Sequence, residues 1–337
     1  MSKTALITGI TGMVGSHLAD FLLENTDWKI IGMARWRSPL DNIQHLVSNI
    51  NLKDRISLVH GDLTDPISME RFISDTKFDF VFHLAAQSYP HTSFTAPLDT
   101  FTTNINGTMA LLESIRMHSP NSIVHVCSSS EVYGRVPAEF VPIKEDCSFH
   151  PASPYAISKV GTDLVGKYFA EAYKMKVMCT RMFTHTGPRR GDVFAESTFA
   201  KQIALIEAGF RKPVIKVGNL DSYRTFADVR DAVRAYYMLL TVNPQGGESY
   251  NIGGNHSCSV GDMLNFLISK STIDNIEVEV DPTRLRLIDA DLQVPDSTKF
   301  TDHTGWKPEY TFEQTMEDLL NYWREKVATH GDSFLMR

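Results

Sequence analysis

The sequence predicts an α/β fold, a doubly wound parallel sheet followed by a smaller C-terminal α/β lobe. Two observations carry this. Short apolar runs alternate with amphipathic stretches through the first half of the chain, the pattern of a parallel sheet covered by helices on both faces. The first apolar run, Thr4-Ala5-Leu6-Ile7-Thr8, also leads into a glycine-spaced turn, Gly9-Ile10-Thr11-Gly12-Met13-Val14-Gly15, and then into a helix with Leu18, Phe21 and Leu22 inward.

In chain order, strands are expected near 4–8, 29–33, 56–60, 79–83, 122–127 and 177–182, with helices near 13–25, 66–75, 97–118 and 153–174. After Arg181 the pattern becomes irregular. Strands are expected at 214–217, 248–252 and 276–280, and helices at 194–208, 228–240, 259–269 and 311–327. This places a first domain over 1–182, with a return segment at about 225–252, and a second lobe over 183–337. From Ala328 onward there is no clear pattern, as expected of a frayed tail.

Each strand end carries chemistry. The glycine turn between strand and helix is a dinucleotide fingerprint, spaced G-x-x-G-x-x-G. Its glycines allow a tight turn and close approach to a pyrophosphate, and the helix N-terminus offers free N–H groups and positive potential. Asp62 follows the third strand, His83-Leu84-Ala85-Ala86 the fourth, and Ser128-Ser129-Ser130-Glu131 the fifth. Ligands of such sheets bind beyond the C-terminal strand ends, so these motifs converge on one edge. Strand two runs into Arg35-Trp36-Arg37, without the carboxylate that holds a ribose 2′-hydroxyl. Arg35 and Arg37 suit a 2′-phosphate instead, which favours NADP over NAD.

Tyr155 and Lys159 lie four residues apart, on one face of the expected helix 153–174. A lysine ammonium beside a phenol is expected to lower the phenol pKa and prepare it to take a hydroxyl proton. Ser129 can share that proton, and Glu131 adds a second acid/base group. The net charge of −7 argues against a general nucleic-acid surface. Any phosphate grip must therefore be local, with Arg190, Lys201, Arg224 and Arg286 as candidate clamps. No apolar run is long enough to span a membrane. Cys127, Cys147, Cys179 and Cys258 are scattered without metal spacing and read as reduced thiols of a cytoplasmic protein, with no metal expected.

Taken in order, these motifs resemble the short-chain dehydrogenase/reductase superfamily, in its extended, nucleotide-sugar-modifying branch, over almost the whole chain. That resemblance implies a Rossmann-type fold. Gly187-Pro188-Arg189-Arg190-Gly191, Val217 to Arg224, and Thr304-Gly305-Trp306-Lys307-Pro308 look like GDP-sugar enzymes. GDP-mannose 4,6-dehydratases are the nearest named family; GDP-N-acetylglucosamine 4,6-dehydratases and GDP-4-keto-6-deoxymannose reductases are close competitors. The resemblance implies Ser129, Glu131, Tyr155 and Lys159 as the catalytic set. It implies NADP contacts from Gly9, Thr11, Gly12, Met13, Val14, Gly15, Arg35, Asp62, Leu63, Leu84, Ala85, Ala86, His185 and Arg190, besides Tyr155 and Lys159. Ser88, Thr184, Lys201, Arg224, Arg286 and Asp289 are implied to meet a GDP-sugar.

Two positions depart from the family: Thr184 stands where the dehydratases carry asparagine, and Asp289 where a glutamate is common. Glu131 sits at the dehydratases' catalytic glutamate, so dehydration is expected first, with 4-ketoreduction, 4-epimerisation or a non-catalytic NADP sensor as alternatives. A homodimer or homotetramer is expected.

Overall fold

The computed structural model describes residues 2–49, 52, 54–285, 288 and 290–332 of the chain. Six strands follow in order through the first half: β1 (Thr4–Thr8), β2 (Lys29–Ala34), β3 (Ile56–His60), β4 (Phe80–His83), β5 (Ile123–Cys127) and β6 (Lys176–Met182). Then come β7 (His185–Thr186), β8 (Val214–Val217), β9 (Tyr223–Asp228), β10 (Ser249–Ile252), β11 (His256–Ser259), β12 (Glu277–Val280) and β13 (Leu292–Gln293). The main sheet has the order β10-β6-β5-β4-β1-β2-β3, and every neighbouring pair is parallel. Strand order reverses between β1 and β4, which opens a crevice at their C-terminal ends.

Alternation of side chains divides the core. Ile7, Phe82 and Met178 face one layer, with Leu18 and Leu22 of Met13–Asn25 and Tyr236 and Leu239 of Val229–Thr241. Leu6, Val81 and Val177 face the other, with Ile73, Leu111, Ile115 and Phe169 of the helices Pro66–Ser74, Gly107–His118 and Pro154–Tyr173. Both faces of the central strands are buried, which explains continuous apolar runs rather than a hydrophobic–polar alternation; the edge strand β3 is the exception, with Ser57 and His60 exposed. Each such side chain contributes about 1.5–3 kcal/mol relative to exposure.

Beyond β6 a second core forms where Phe199 and Ile203 of Ala195–Glu207 meet Met316, Leu320 and Trp323 of Phe312–His330. A small sheet, β11-β9-β13 with β7 on β9, forms the wall that faces the main crevice.

Three details differ from the sequence-based expectation. The segment 97–118 is helical throughout, but Thr102–Asn106 forms a π turn between Pro97–Phe101 and Gly107–His118. Helical periodicity is nearly unchanged by one wide turn, so the pattern does not reveal it. The last helix runs further than expected, because Phe312–His330 continues through Ala328 and ends at Gly331 with φ +62°. Its last buried side chain is Val327, so the final turn has no apolar stripe to read. The strands β7, β9, β11 and β13 and the helices Gln44–Val47, Pro90–Thr95 and Thr298–Thr304 were not foreseen; the strands β7 and β13 have only two residues each, and β9 mixes buried Thr225 and Phe226 with charged Arg224 and Asp228.

Candidate active site

A cleft of about 800 Å³ lies between the C-terminal edge of the main sheet and the second lobe. Its floor is the turn after β1. Gly9 has φ +73°, and a Cβ there would meet the Ala85 backbone at 2.9 Å. Ala85 therefore packs behind the turn rather than into the cleft. At Gly15 a Cβ would lie 2.3 Å from the Gly9 carbonyl oxygen, so the helix Met13–Asn25 can start this close only with glycine there. Gly12 is the N-cap of that helix and provides no side-chain cap, which leaves first-turn N–H groups to face a ligand. Thr11, Gly12, Met13, Val14 and Gly15 all line the cleft, as does Asn42, which fixes the turn by donating to the Thr11 carbonyl at 3.0 Å. A pyrophosphate fits this cradle by geometry and by charge.

The adjoining wall is the turn after β4, held by a buried polar relay. The Thr8 hydroxyl accepts from Leu84 and Ala85 N–H at 3.1 Å and bonds His83 Nδ1 at 2.9 Å. His83 Nε2 donates to Thr108 at 2.9 Å, which in turn donates to the Asn104 carbonyl at 2.6 Å. Burial holds His83 neutral, its pKa lowered to about 3. Asn104, on the π turn, accepts from Gln87 N–H at 2.8 Å and donates to the Gln87 carbonyl at 2.9 Å and to Ser158 at 2.8 Å. The π turn thus fastens the loop bearing Leu84, Ala86 and Ser88, all of which line the cleft, to the helix bearing Tyr155.

That helix starts with Ser153, whose hydroxyl accepts from Ala156 N–H at 3.0 Å, and with Pro154 at N1. Tyr155 and Lys159 follow one turn apart and both line the cleft, as do Ser129 and Glu131 from the turn after β5. The Tyr155 hydroxyl is hydrogen-bonded to Ser129. The Lys159 ammonium donates to the Cys127 carbonyl at 2.8 Å and lies 6.0 Å from the centre of the Tyr155 ring.

The expected lysine-driven lowering of the phenol pKa is not what the cleft produces. Burial raises the Tyr155 phenol pKa, with only the Ser129 hydrogen bond and Arg190 acting against it. Burial also lowers that of Lys159. The reason is geometric: the ammonium is directed at a strand-end carbonyl, not at the phenol.

The second lobe forms the facing wall. His185 lines the cleft with Nδ1 donating to the Phe183 carbonyl at 3.1 Å; burial, and then Arg190, hold its pKa near 4 and the ring neutral. Thr184 also lines it. Arg190 lies with its guanidinium 3.5 Å from the Phe194 ring centre and 3.0 Å from Glu196. Arg224, on β9, reaches 3.7 Å from Glu131.

Lys201 requires a correction. It is not among the residues lining the cleft; its ammonium binds Asp192 at 2.5 Å and lies over Trp323 in the second core. Asp62 is outside the lining too, its carboxylate accepting from Thr64 N–H and hydroxyl, while the Leu63 side chain is buried at the approach of Gly107. Arg35 is exposed beyond the end of β2. Arg286 and Asp289 lie outside the described residues.

Sequence reasoning missed Asn42, Asn104, Arg189 and Arg284. Of these, Asn42, Arg189 and Arg284 line the cleft, the two arginines from turns whose charges alone give no sign of it. Among the described residues no cluster of His, Cys, Asp and Glu could hold a metal, and no helix is long and apolar enough to cross a membrane.

Comparison with known proteins adds the following. A family profile described as GDP-mannose 4,6 dehydratase matches residues 6–319. GDP-6-deoxy-D-mannose reductase of Pseudomonas aeruginosa is 29% identical, with 97% of this chain and 99% of that protein covered. GDP-mannose 4,6 dehydratase 1 of Arabidopsis thaliana is 32% identical, with coverages of 96% and 92%. The solved structure of RMD from Pseudomonas aeruginosa complexed with NADPH matches with a TM-score of 0.82 at 28% identity, covering 97% of this chain and 100% of that one.

Proposed function

Because the chain belongs to the GDP-mannose 4,6-dehydratase family, we propose that it is an NADP-dependent lyase. It takes a GDP-hexose of the GDP-mannose or GDP-N-acetylglucosamine type to the GDP-4-keto-6-deoxy sugar. The observation that carries this reading is Glu131, a carboxylate in the same cleft as Tyr155, Lys159 and Ser129. Oxidation at C4 needs only the hydroxyl-handling set, whereas dehydration needs a further group to move a proton from carbon.

Tyr155 takes the C4 hydroxyl proton, with Ser129 bonded to its phenol. Bound NADP supplies the hydride acceptor, the hydride returned at C6, and a cationic ring whose charge favours a phenolate. With C4 a ketone, Glu131 takes the acidified C5 proton and passes it to the C6 hydroxyl, which leaves as water; as the hydride returns to C6, a proton of solvent origin is added at C5. Gly9, Thr11, Gly12, Met13, Val14, Gly15, Leu84, Ala86, His185 and Arg190 are assigned to the cofactor, with Arg35, Asp62, Leu63 and Ala85 at its adenosine end. Ser88, Thr184 and Arg224 are assigned to the sugar nucleotide. The cofactor domain is taken as residues 1–182 with about 225–252, and the sugar-nucleotide lobe as 183–337. A cytoplasmic homo-oligomer is the proposed working form.

The relative from Pseudomonas aeruginosa named GDP-6-deoxy-D-mannose reductase supports a second reading, 4-ketoreduction. One experiment separates them. A dehydratase restores its cofactor each cycle, so catalytic NADP should convert GDP-mannose or GDP-N-acetylglucosamine completely to a product lighter by one water. Solvent deuterium should enter at C5, and Glu131→Gln should abolish that entry. One NADPH consumed per molecule of a GDP-4-keto-6-deoxy sugar, with neither GDP-hexose dehydrated, would replace the lyase reading with the reductase.

A further inference from the structure

Among the described residues, each arginine lining the cleft is already matched with a carboxylate, but not equally well. Arg189 lies 2.7 Å from Asp20 and Arg190 3.0 Å from Glu196, while just behind the lining Lys201 lies 2.5 Å from Asp192. These are hydrogen-bonded pairs. Arg224 stands 3.7 Å from Glu131, with side-chain exposures of only 12% and 15%, and Arg284 3.5 Å from Asp281 at the more open end. At such separations the attraction persists, but a formed charge-assisted hydrogen bond does not have to be broken to redirect the cation.

The two groups of the looser, more buried pair also come from opposite walls. Glu131 is on the turn after β5, and Arg224 is on β9. There the backbone is fixed on both sides, in register with Cys258 of β11 and Gln293 of β13, so any adjustment belongs to the side chain.

A nucleoside diphosphate entering the cleft needs a cation that can turn toward it. Redirecting Arg190 would break its Glu196 contact and leave a Phe194 ring face; redirecting Arg224 costs only the separated pair. Resting on the GDP-sugar reading above, we propose that Arg224 is shared. In the nucleotide-free cleft it holds Glu131, and binding of the diphosphate draws it off that carboxylate. Arg224 is then a positioning residue for Glu131 as well as a phosphate contact. Glu131 meets the sugar only after the guanidinium has stopped competing for its oxygens. The diphosphate, remote from the reacting carbons, thereby acts on kcat as well as on binding. Because the coupling is reciprocal, Glu131 must also weaken diphosphate binding.

That last consequence is measurable without turnover, by calorimetric titration of GDP into the NADP-loaded protein, with melting curves to verify each variant. Glu131→Gln should bind GDP about three- to tenfold more tightly than wild type, since Arg224 is no longer engaged. Arg224→Met should bind it about tenfold or more weakly. In the Arg224→Met background, Glu131→Gln should change the affinity by less than about twofold, which a merely structural role or a general negative field would not produce. Should Arg224→Met not fold, Arg224→Gln takes its place in the cycle with the same expectation. Unchanged GDP affinity in Glu131→Gln overturns the sharing. So does a tightening that persists without Arg224, because Glu131 would then act by simple repulsion. If GDP fails to bind the wild type at all, it is the nucleotide reading that falls, and this inference with it.

Discussion

Lys159 donates its ammonium to the carbonyl of Cys127 at 2.8 Å, one helical turn beyond Tyr155 and 6.0 Å from that ring's centre. The lysine therefore ties the helix Pro154–Tyr173 to the end of β5, and the phenol bonds to Ser129 instead. Burial opposes the charged form of both groups, raising the tyrosine and lowering the lysine.

Tyr155→Phe keeps the ring and its packing, so the melting temperature should stay within a few degrees of wild type while kcat falls about 10²- to 10⁴-fold. Lys159→Met separates catalysis from stability. The cost of burying the ammonium is present wherever the folded lysine is charged, below its lowered pKa, and disappears only above the unfolded pKa. At neutral pH the methionine variant should thus melt at or above the wild-type temperature and still be inactive. A variant that melts well below wild type would mean that the Cys127 contact outweighs burial.

Four histidines should make the fold acid-labile in a defined window. Burial lowers His83 and His125 to about 3, and burial, assisted by Arg189 and Arg190 respectively, lowers His17 and His185 to about 4. Below pH 6.5 the unfolded chain gains protons that the folded one refuses, so stability falls as pH drops through that value and levels off near the folded pKa values. Each contributes at most about 1.4 kcal/mol per pH unit, about 5.5 kcal/mol per unit together. Denaturant melts from pH 7 to 4.5 should show this slope. His125→Phe should reduce it by about a quarter; an unchanged slope would remove His125 from the account.

Asn104 joins three segments through the π turn. Asn104→Ala strands the Gln87 N–H and carbonyl, each at a cost of about 1–3 kcal/mol if left unpaired. Stability should drop by roughly 2–5 kcal/mol. Because the loop Leu84–Ser88 loses its anchor, kcat should fall even at temperatures where the variant is fully folded. Normal kcat in folded Asn104→Ala would show that the loop is held by the Thr8–His83 relay alone.

Strand and helix positions in the first half were legible because both faces of the main sheet are buried and each helix has one apolar stripe. The glycine turn was legible because positive φ at Gly9 and the close approach at Gly15 leave few other residues possible. β9 was not, since its buried residues lie between two charges, Arg224, which pairs with Glu131 across the cleft, and Asp228, which pairs with Arg230. Lys201 read as a phosphate clamp because a basic residue in a second lobe looks the same in sequence whether it faces a ligand or, as here, Asp192 and Trp323.

The sequence by itself determined which groups are available and in what local order: a strand, a glycine turn, a helix start, and a tyrosine with a lysine one turn on. These are short-range matters of periodicity and backbone sterics. The tertiary structure decided which carboxylate each arginine meets, that Lys159 serves a carbonyl, and that burial raises the phenol pKa rather than lowering it. Burial and charge pairing depend on residues far apart in the chain, and a few ångströms decide between a hydrogen-bonded pair such as Arg190–Glu196 and a looser one such as Arg224–Glu131.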